Sequence, residues 1–398
     1  MSMATVAGEK EFLLRHSRPL NPLLLISSLL LVSGLLMMTS ASVELASAQY
    51  GDPFYHFKRQ GIFALVGLIA LVFTLITPLS FWRKSGWFLL IGSYVLLLLV
   101  LTPGIGKIVN GSARWIDLGF FNLQPSELAK VFIVIYLAAF LERHLVEVRE
   151  KWSGFLKPLL LIGAAAALLQ LEPDHGAMFI LILTAFCMIF LAGAKLYRFI
   201  FMLLVFVGAI TYLTFTKPYV ILRYSSYLNP WAAENRYEGG YQLTQALIAF
   251  GRGEWLGVGL GNSIQKLYFL PEAHNDFVLA IIGEELGLVG VAFVVTLFCL
   301  LIHYAFAIGK AAEKKGYLFE AFLAYGLALL FAGQAIINIG VNIGLLPTKG
   351  LTLPFLSYGG ASLIVSCFMV ALLVRIQYET EFQLNALTNQ AARNENEC

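Results

Sequence analysis

Leu270-Pro271-Glu272-Ala273-His274-Asn275-Asp276-Phe277 runs directly into an apolar stretch that continues to about residue 307. An apolar run of about 18 residues or more reads as a membrane-spanning helix. The octapeptide therefore stands where a polar loop enters lipid, with a carboxylate and an imidazole at the boundary. An acid in that position has two readings. It caps the helix, where free N–H groups and the dipole favour negative charge, or it acts on something lipid-borne. His274 and, about two turns further in, the pair Glu284-Glu285 weigh toward the second reading, because carboxylates within a span are costly and tend to be functional. A helix N-terminus favours the charged form and burial favours the neutral one, so the basicity of Asp276 depends on which effect dominates.

Outward from this stretch the same apolar pattern recurs. The 398 residues are 59% hydrophobic and 13% charged, against about 25% charged in soluble domains. Lipid leaves backbone polar groups unsatisfied, so helices are the spanning element expected. Ten spans follow, at about 22–41, 60–77, 86–102, 125–141, 156–171, 176–193, 197–214, 277–307, 318–344 and 358–376. The fold class is an all-α polytopic membrane protein of about ten transmembrane helices, with one long extracytoplasmic loop at about 215–275. The net charge of +3 comes without any dense basic run, and no nucleic-acid partner is expected. Cys187, Cys299 and Cys367 fall within apolar helices and Cys398 at the end of the sequence. Without paired spacing they read as packing residues.

Lys10, Arg15 and Arg18 precede the first apolar segment, and Ala46-Ser47-Ala48 imitates a signal-peptidase site. The segment is too long for a signal core and ends well before that site, so it reads as a retained helix that starts inside. Ten spans then leave both termini in the cytoplasm. Inside segments hold sixteen Lys and Arg residues, whereas short outside segments hold six: Lys58, Arg59, Lys107, Arg114, Lys130 and Lys349. That asymmetry supports the topology. The organisation expected is a cytoplasmic segment 1–21, a membrane domain 22–376 and a cytoplasmic tail 377–398. Within the long loop, Tyr241–Phe250 has the pattern of a short amphipathic helix.

Three further groups carry polar chemistry on the outer side. Val109–Gly119 includes Arg114 beside Trp115, a phosphate holder or a solvated arginine. Gln124–Lys130 places Pro125 at a first helical position and spaces Glu127 and Lys130 by i, i+3, so they pair with each other or Lys130 binds an anion. Glu172-Pro173-Asp174-His175-Gly176 forms a tight turn too sparse for a metal site. In the ninth span, Gln334, Asn338 and Asn342 make one polar stripe, the pattern of interhelical hydrogen bonding. Leu346–Gly360 is apolar yet interrupted by Pro347, Pro354, Gly350 and Gly359-Gly360, as a re-entrant or outer-face loop would be.

Together these segments resemble the SEDS family (shape, elongation, division and sporulation), in its FtsW branch, from about residue 20 to 380. The strongest are Asn110–Gly119, Gln124–Lys130, Tyr241–Gly261, Pro271–Gly290 and Leu346–Gly360. Gly251–Ser263 with Gln265-Lys266-Leu267, and Leu346–Thr352, resemble that branch more than the elongation paralogue RodA. The resemblance implies a bacterial peptidoglycan glycosyltransferase of cell division and cell-wall biogenesis that polymerises lipid II. It would sit in the cytoplasmic (inner) membrane at the division septum, with a class B penicillin-binding protein and other divisome membrane proteins as partners. The family's catalytic aspartate falls on Asp276. Asn275 stands where Thr is usual and Ala361 where Ser is common, and a local change is expected from them. Converting an α-linked pyrophosphate into a β-1,4 linkage takes one inverting displacement, which needs a base for the acceptor hydroxyl and cations for the leaving group. Asp276 is the expected base. Arg114, Lys130, Arg223, His274 and Lys349 are the expected substrate contacts, and Glu127, Glu284 and Glu285 the supporting carboxylates. No protein metal site is expected, although a divalent cation (Mg or Mn) could share the role of the cationic side chains. A lipid II flippase and a non-catalytic divisome scaffold are the rival readings.

Overall fold

The computed structural model describes residues 21–396, apart from 110–111, 118, 120–121, 203, 205–207, 209–226, 233–234, 236–238 and 349. Helices form where the apolar runs predict them: α1 (Pro22–Tyr50), α2 (Tyr55–Ile76), the short α3 (Leu79–Lys84), α4 (Gly86–Leu101), α5 (Pro125–Arg143), the short α6 (Leu145–Glu150), α7 (Trp152–Leu171) and α8 (His175–Leu191). They are followed by α9 (Tyr241–Gly253), α10 (Val278–Lys314), α11 (Leu318–Asn342) and α12 (Gly360–Asn396). Among the described residues, six helices (α1, α2, α7, α10, α11 and α12) are long and apolar enough to cross a membrane, and α4 and α8 are shorter apolar helices. The chain is a multi-pass, predominantly helical membrane protein. For the span expected at 197–214, residues 196–202 are helical and most of the remainder lies outside the described residues. The amphipathic helix read at 241–250 is α9.

Burial separates a centre from a rim. In the apolar windows of α11 and α12, 78% of residues are buried, against 22% in α2. The centre also takes α5, which is buried along almost its whole length and packs on α4 and α11. The rim presents large side chains such as Phe73, Ile76, Phe88 and Leu160 outward, the surface a bilayer would cover.

Two departures from the sequence reading matter for the site. Residues 106–123 form a small antiparallel sheet, β1 (Gly106–Val109), β2 (Ser112–Asp117) and β3 (Asn122–Leu123), in the order β1-β2-β3. The register shifts between Lys107 and Ile108, and β2 carries Arg114. Secondly, the span read as one helix over 277–307 is broken. Gly287 adopts φ 63° and ψ −161°, a left-handed conformation that only glycine takes without strain, and a Cβ there would collide with the backbone of Trp255 and Gly257. The break frees backbone groups that lipid could not satisfy. Residues 254–259 satisfy them: Leu288 and Val289 donate to the carbonyls of Glu254 and Trp255 at 2.9 and 3.2 Å, and Val258 and Gly259 donate to those of Glu284 and Glu285 at 3.0 Å each. The long loop therefore docks into the interrupted helix.

Candidate active site

Asp276 lies two residues ahead of α10, outside the capping position. Phe277 is the N-cap and supplies no side-chain bond. Asn342, reaching from the end of α11, accepts from the Ala280 N–H at 3.2 Å. A neighbouring helix thus supplies a cap and leaves the aspartate free.

What holds Asp276 is its peptide. The side-chain amides of Asn338 and Asn342 each donate to its carbonyl oxygen at 2.9 Å. Asn338 also donates to the carbonyl of Leu351 at 2.6 Å, which ties the 346–360 loop to the same clamp. One turn earlier, Gln334 donates to Glu127 at 3.3 Å, and Glu127 pairs with Lys130 at 2.8 Å. The stripe on α11 is thus a line of interhelical bonds, and its far end fixes the one peptide whose side chain the sequence singles out.

The Asp276 carboxyl itself accepts no hydrogen bond among the described residues. It lies against Gly350, where a Cβ would come within 3.0 Å of Oδ2. Desolvation by burial, followed by the charge of Glu272, pushes its pKa up to about 7, with Arg114 pulling the other way. The competition between cap and burial is won by burial, because no capping bond exists to oppose it. The result is a positioned carboxyl that changes protonation near neutrality, as a proton acceptor must.

The other expected residues fall into distinct places. Arg114 is half-buried; its guanidinium donates to the Pro173 carbonyl, while its Nε is buried without a partner among the described residues. Its positive charge acts on both Asp276 and Glu172. Lys130 is buried and compensated by Glu127, the pairing that its spacing allows. The His274 ring packs 5.1 Å from that of His56 and 5.7 Å from that of Tyr358, and burial pushes its pKa down to about 4. Its carbonyl accepts from the Tyr358 N–H at 2.9 Å. Asn275 donates to Glu272, so the residue that departs from the family pattern holds the turn. Arg223 and Lys349 lie outside the described residues.

Glu284 and Glu285 are fully buried and fully bonded. Glu284 pairs with Arg252 at 2.7 Å and accepts from the Ser263 hydroxyl and from the Ile264 and Gln265 N–H groups. Glu285 pairs with Lys266 at 2.8 Å and accepts from Ser40 of α1. They lash the loop to α10 and α1. Among the described residues, no three or more His, Cys, Asp or Glu side chains gather into a metal-binding group.

Sequence reasoning missed two participants here. The turn 172–176 joins the site through Asp174, which accepts from Ser126 at 2.8 Å and from the Ala177 N–H at 3.2 Å. In the sequence Gly350 reads only as a loop breaker; its contact with Asp276 depends on how the loop folds back.

The family described as cell cycle protein (FtsW/RodA/SpoVE) matches residues 21–382. The chain belongs to this family. Its relatives place it in the FtsW branch. It is 50% identical to a probable peptidoglycan glycosyltransferase FtsW of Pseudomonas fluorescens, covering 90% of this chain and 87% of that one. A protein of the same description from Hahella chejuensis is 51% identical, with 90% of each covered, and one from Coxiella burnetii 49%, with 88% and 94% covered. Among solved structures, a chain of a peptidoglycan synthase complex described as coordinating polymerization and crosslinking is 25% identical and aligns with a TM-score of 0.75 over 90% of this chain and 97% of that one. The rod shape determining protein RodA of Thermus thermophilus aligns at 0.65, also 25% identical, over 90% and 96%.

Proposed function

We propose that this membrane protein is a peptidoglycan glycosyltransferase that polymerises lipid II, with Asp276 as its general base. The observation that carries the role of Asp276 is the contrast within one residue: a peptide clamped by two asparagines and a carboxyl left without a hydrogen bond among the described residues. Such a group is rigidly aimed and still free to take a proton. In the reaction, Asp276 removes the proton from the acceptor sugar's 4-hydroxyl as that oxygen attacks the anomeric carbon of the donor. The α-linked bond to pyrophosphate breaks as the β-1,4 bond forms, so a single inverting step needs a single carboxylate. Negative charge grows on the departing pyrophosphate, and Arg114, whose field reaches Asp276, is the cation this chain brings to meet it. Glu127 compensates Lys130 and, through Gln334, braces the helix that carries the clamp.

The Asp276 end of the bundle faces outward in this reading, as the distribution of Lys and Arg supports. Both termini then lie in the cytoplasm, and the membrane is the bacterial inner membrane at the division septum. The likeness to a chain from a peptidoglycan synthase complex supports a class B penicillin-binding protein as partner, and the FtsW branch supports further divisome membrane proteins. Reconstitution with that transpeptidase and labelled lipid II provides the test. The intact chain makes glycan polymer, and Asp276→Asn makes none while folding and binding its partner. A variant that polymerises normally removes Asp276 from the role. Lipid II crossing liposome membranes without polymer would instead establish a flippase.

A further inference from the structure

Glu172 is a second carboxyl in an unusual position. It ends α7 in the turn before α8 and is 0% exposed. Both of its oxygens are buried and lack a hydrogen-bond partner among the described residues. A carboxylate in such a place would be a buried charge without a hydrogen bond, so burial favours the neutral acid. Its neighbour Asp174 is the opposite, bonded by Ser126, Gln124 and the Ala177 N–H. The adjoining residue, Pro173, offers its carbonyl to the Arg114 guanidinium, which keeps an unpaired Nε buried beside this turn. The charged groups that act on Glu172 are Asp174, from its own turn, and Arg114, from β2.

We infer that Glu172 is a positioning residue for Arg114: uncharged, it leaves the guanidinium free to serve an anionic ligand beside Asp276, and ionised, it draws that charge inward. The inference rests on the polymerase reading above, with the pyrophosphate of lipid II as the anion. Burial, and then the negative charge of Asp174, push the Glu172 pKa up to about 8, with Arg114 opposing. The neutral form therefore prevails at pH 7 and gives way on the alkaline side. An ionised Glu172 attracts the guanidinium whose charge already acts on it and which is bonded to the adjoining Pro173 carbonyl, and the outer ligand loses a charge-assisted partner.

The test is the apparent KM and kcat for lipid II polymerisation by the reconstituted complex between pH 7 and 9.5. Wild type should show KM rising on the order of tenfold through about pH 8, the loss of one charged hydrogen-bond partner, with kcat rising by no more than about twofold as Asp276 completes its deprotonation. Glu172→Gln, which cannot ionise, should hold the same KM at pH 9 as at pH 7. If Glu172→Gln retains the alkaline rise, the inference fails. If wild type makes no polymer at any pH, the polymerase reading fails instead. Infrared titration of the Asp276→Asn protein supplies a readout independent of turnover. A neutral-carboxyl band should be present at pH 7 and vanish with a midpoint near 8, and its absence at pH 7 overturns the proposal even where Glu172→Gln does not fold.

Discussion

Asp276 and the pair Glu284-Glu285 lie within ten residues of one another, and the fold treats them in opposite ways. The two glutamates are buried, each paired with a cation and bonded to a serine hydroxyl and to N–H groups of the loop. The aspartate is half-buried, and its carboxyl has no such bond among the described residues. Saturated carboxylates hold pieces of backbone together, whereas an unsatisfied one retains the capacity to exchange a proton. Acidity at a membrane boundary therefore says little until the hydrogen bonds are assigned.

The contrast breaks most sharply at Asp276. Replacing it with Asn removes the base, and polymerisation should fall by about 10² to 10⁴-fold. Stability should move the other way. With a folded pKa near 7 against roughly 3.9 in an unfolded chain, the folded state retains a proton that the unfolded state has released. Stability therefore declines as pH rises through that window, and Asn removes the penalty. The unfolding midpoint of Asp276→Asn at pH 7.5 should equal or exceed that of wild type; a marked fall would make Asp276 a structural residue.

Glu284→Ala should do the reverse, leaving Arg252 and three loop donors without their partner. Breaking a buried pair costs about 3 to 5 kcal/mol, so thermal unfolding in detergent should show a destabilised protein. Unchanged stability would erase the distinction between the two kinds of acid. Asn338→Ala or Asn342→Ala should lower kcat by about ten- to a hundredfold, the scale of a small misplacement of a reacting group, with little change in KM. The acid limb of kcat/KM for wild type should have its midpoint near pH 7, rising as Asp276 loses its proton. A midpoint near 4 would mean the carboxyl is not desolvated in the working enzyme. The smallest change is Gly350→Ala, whose methyl would crowd Oδ2 at 3.0 Å. A few-fold loss of kcat is expected, and none at all would place the loop elsewhere during catalysis.

The helices were legible because an apolar run in a membrane protein has little choice of structure. Asp276 was legible as a candidate, and α9 followed from its amphipathic pattern. The sheet at 106–123 was missed, although Asn110-Gly111 between β-prone runs is a strong hairpin signal. The break at Gly287 was hidden inside a continuous apolar stretch, where hydropathy is blind to φ. The stripe Gln334-Asn338-Asn342 announced interhelical bonding but not its partner, because the Asp276 peptide comes from 62 residues away along the chain. His274 reads in sequence as a neighbour in chemistry, and its ring packs beside His56 and Tyr358, partners that lie far away along the chain.

Because residue 276 is held by its carbonyl, its side chain is not used to build the protein. A lesion in that codon should yield a polypeptide of ordinary abundance and ordinary shape, able to take its usual seat among its neighbours and do nothing there. In a cell carrying both alleles, such a product competes with the intact one instead of disappearing, and the inherited defect behaves as a dominant one.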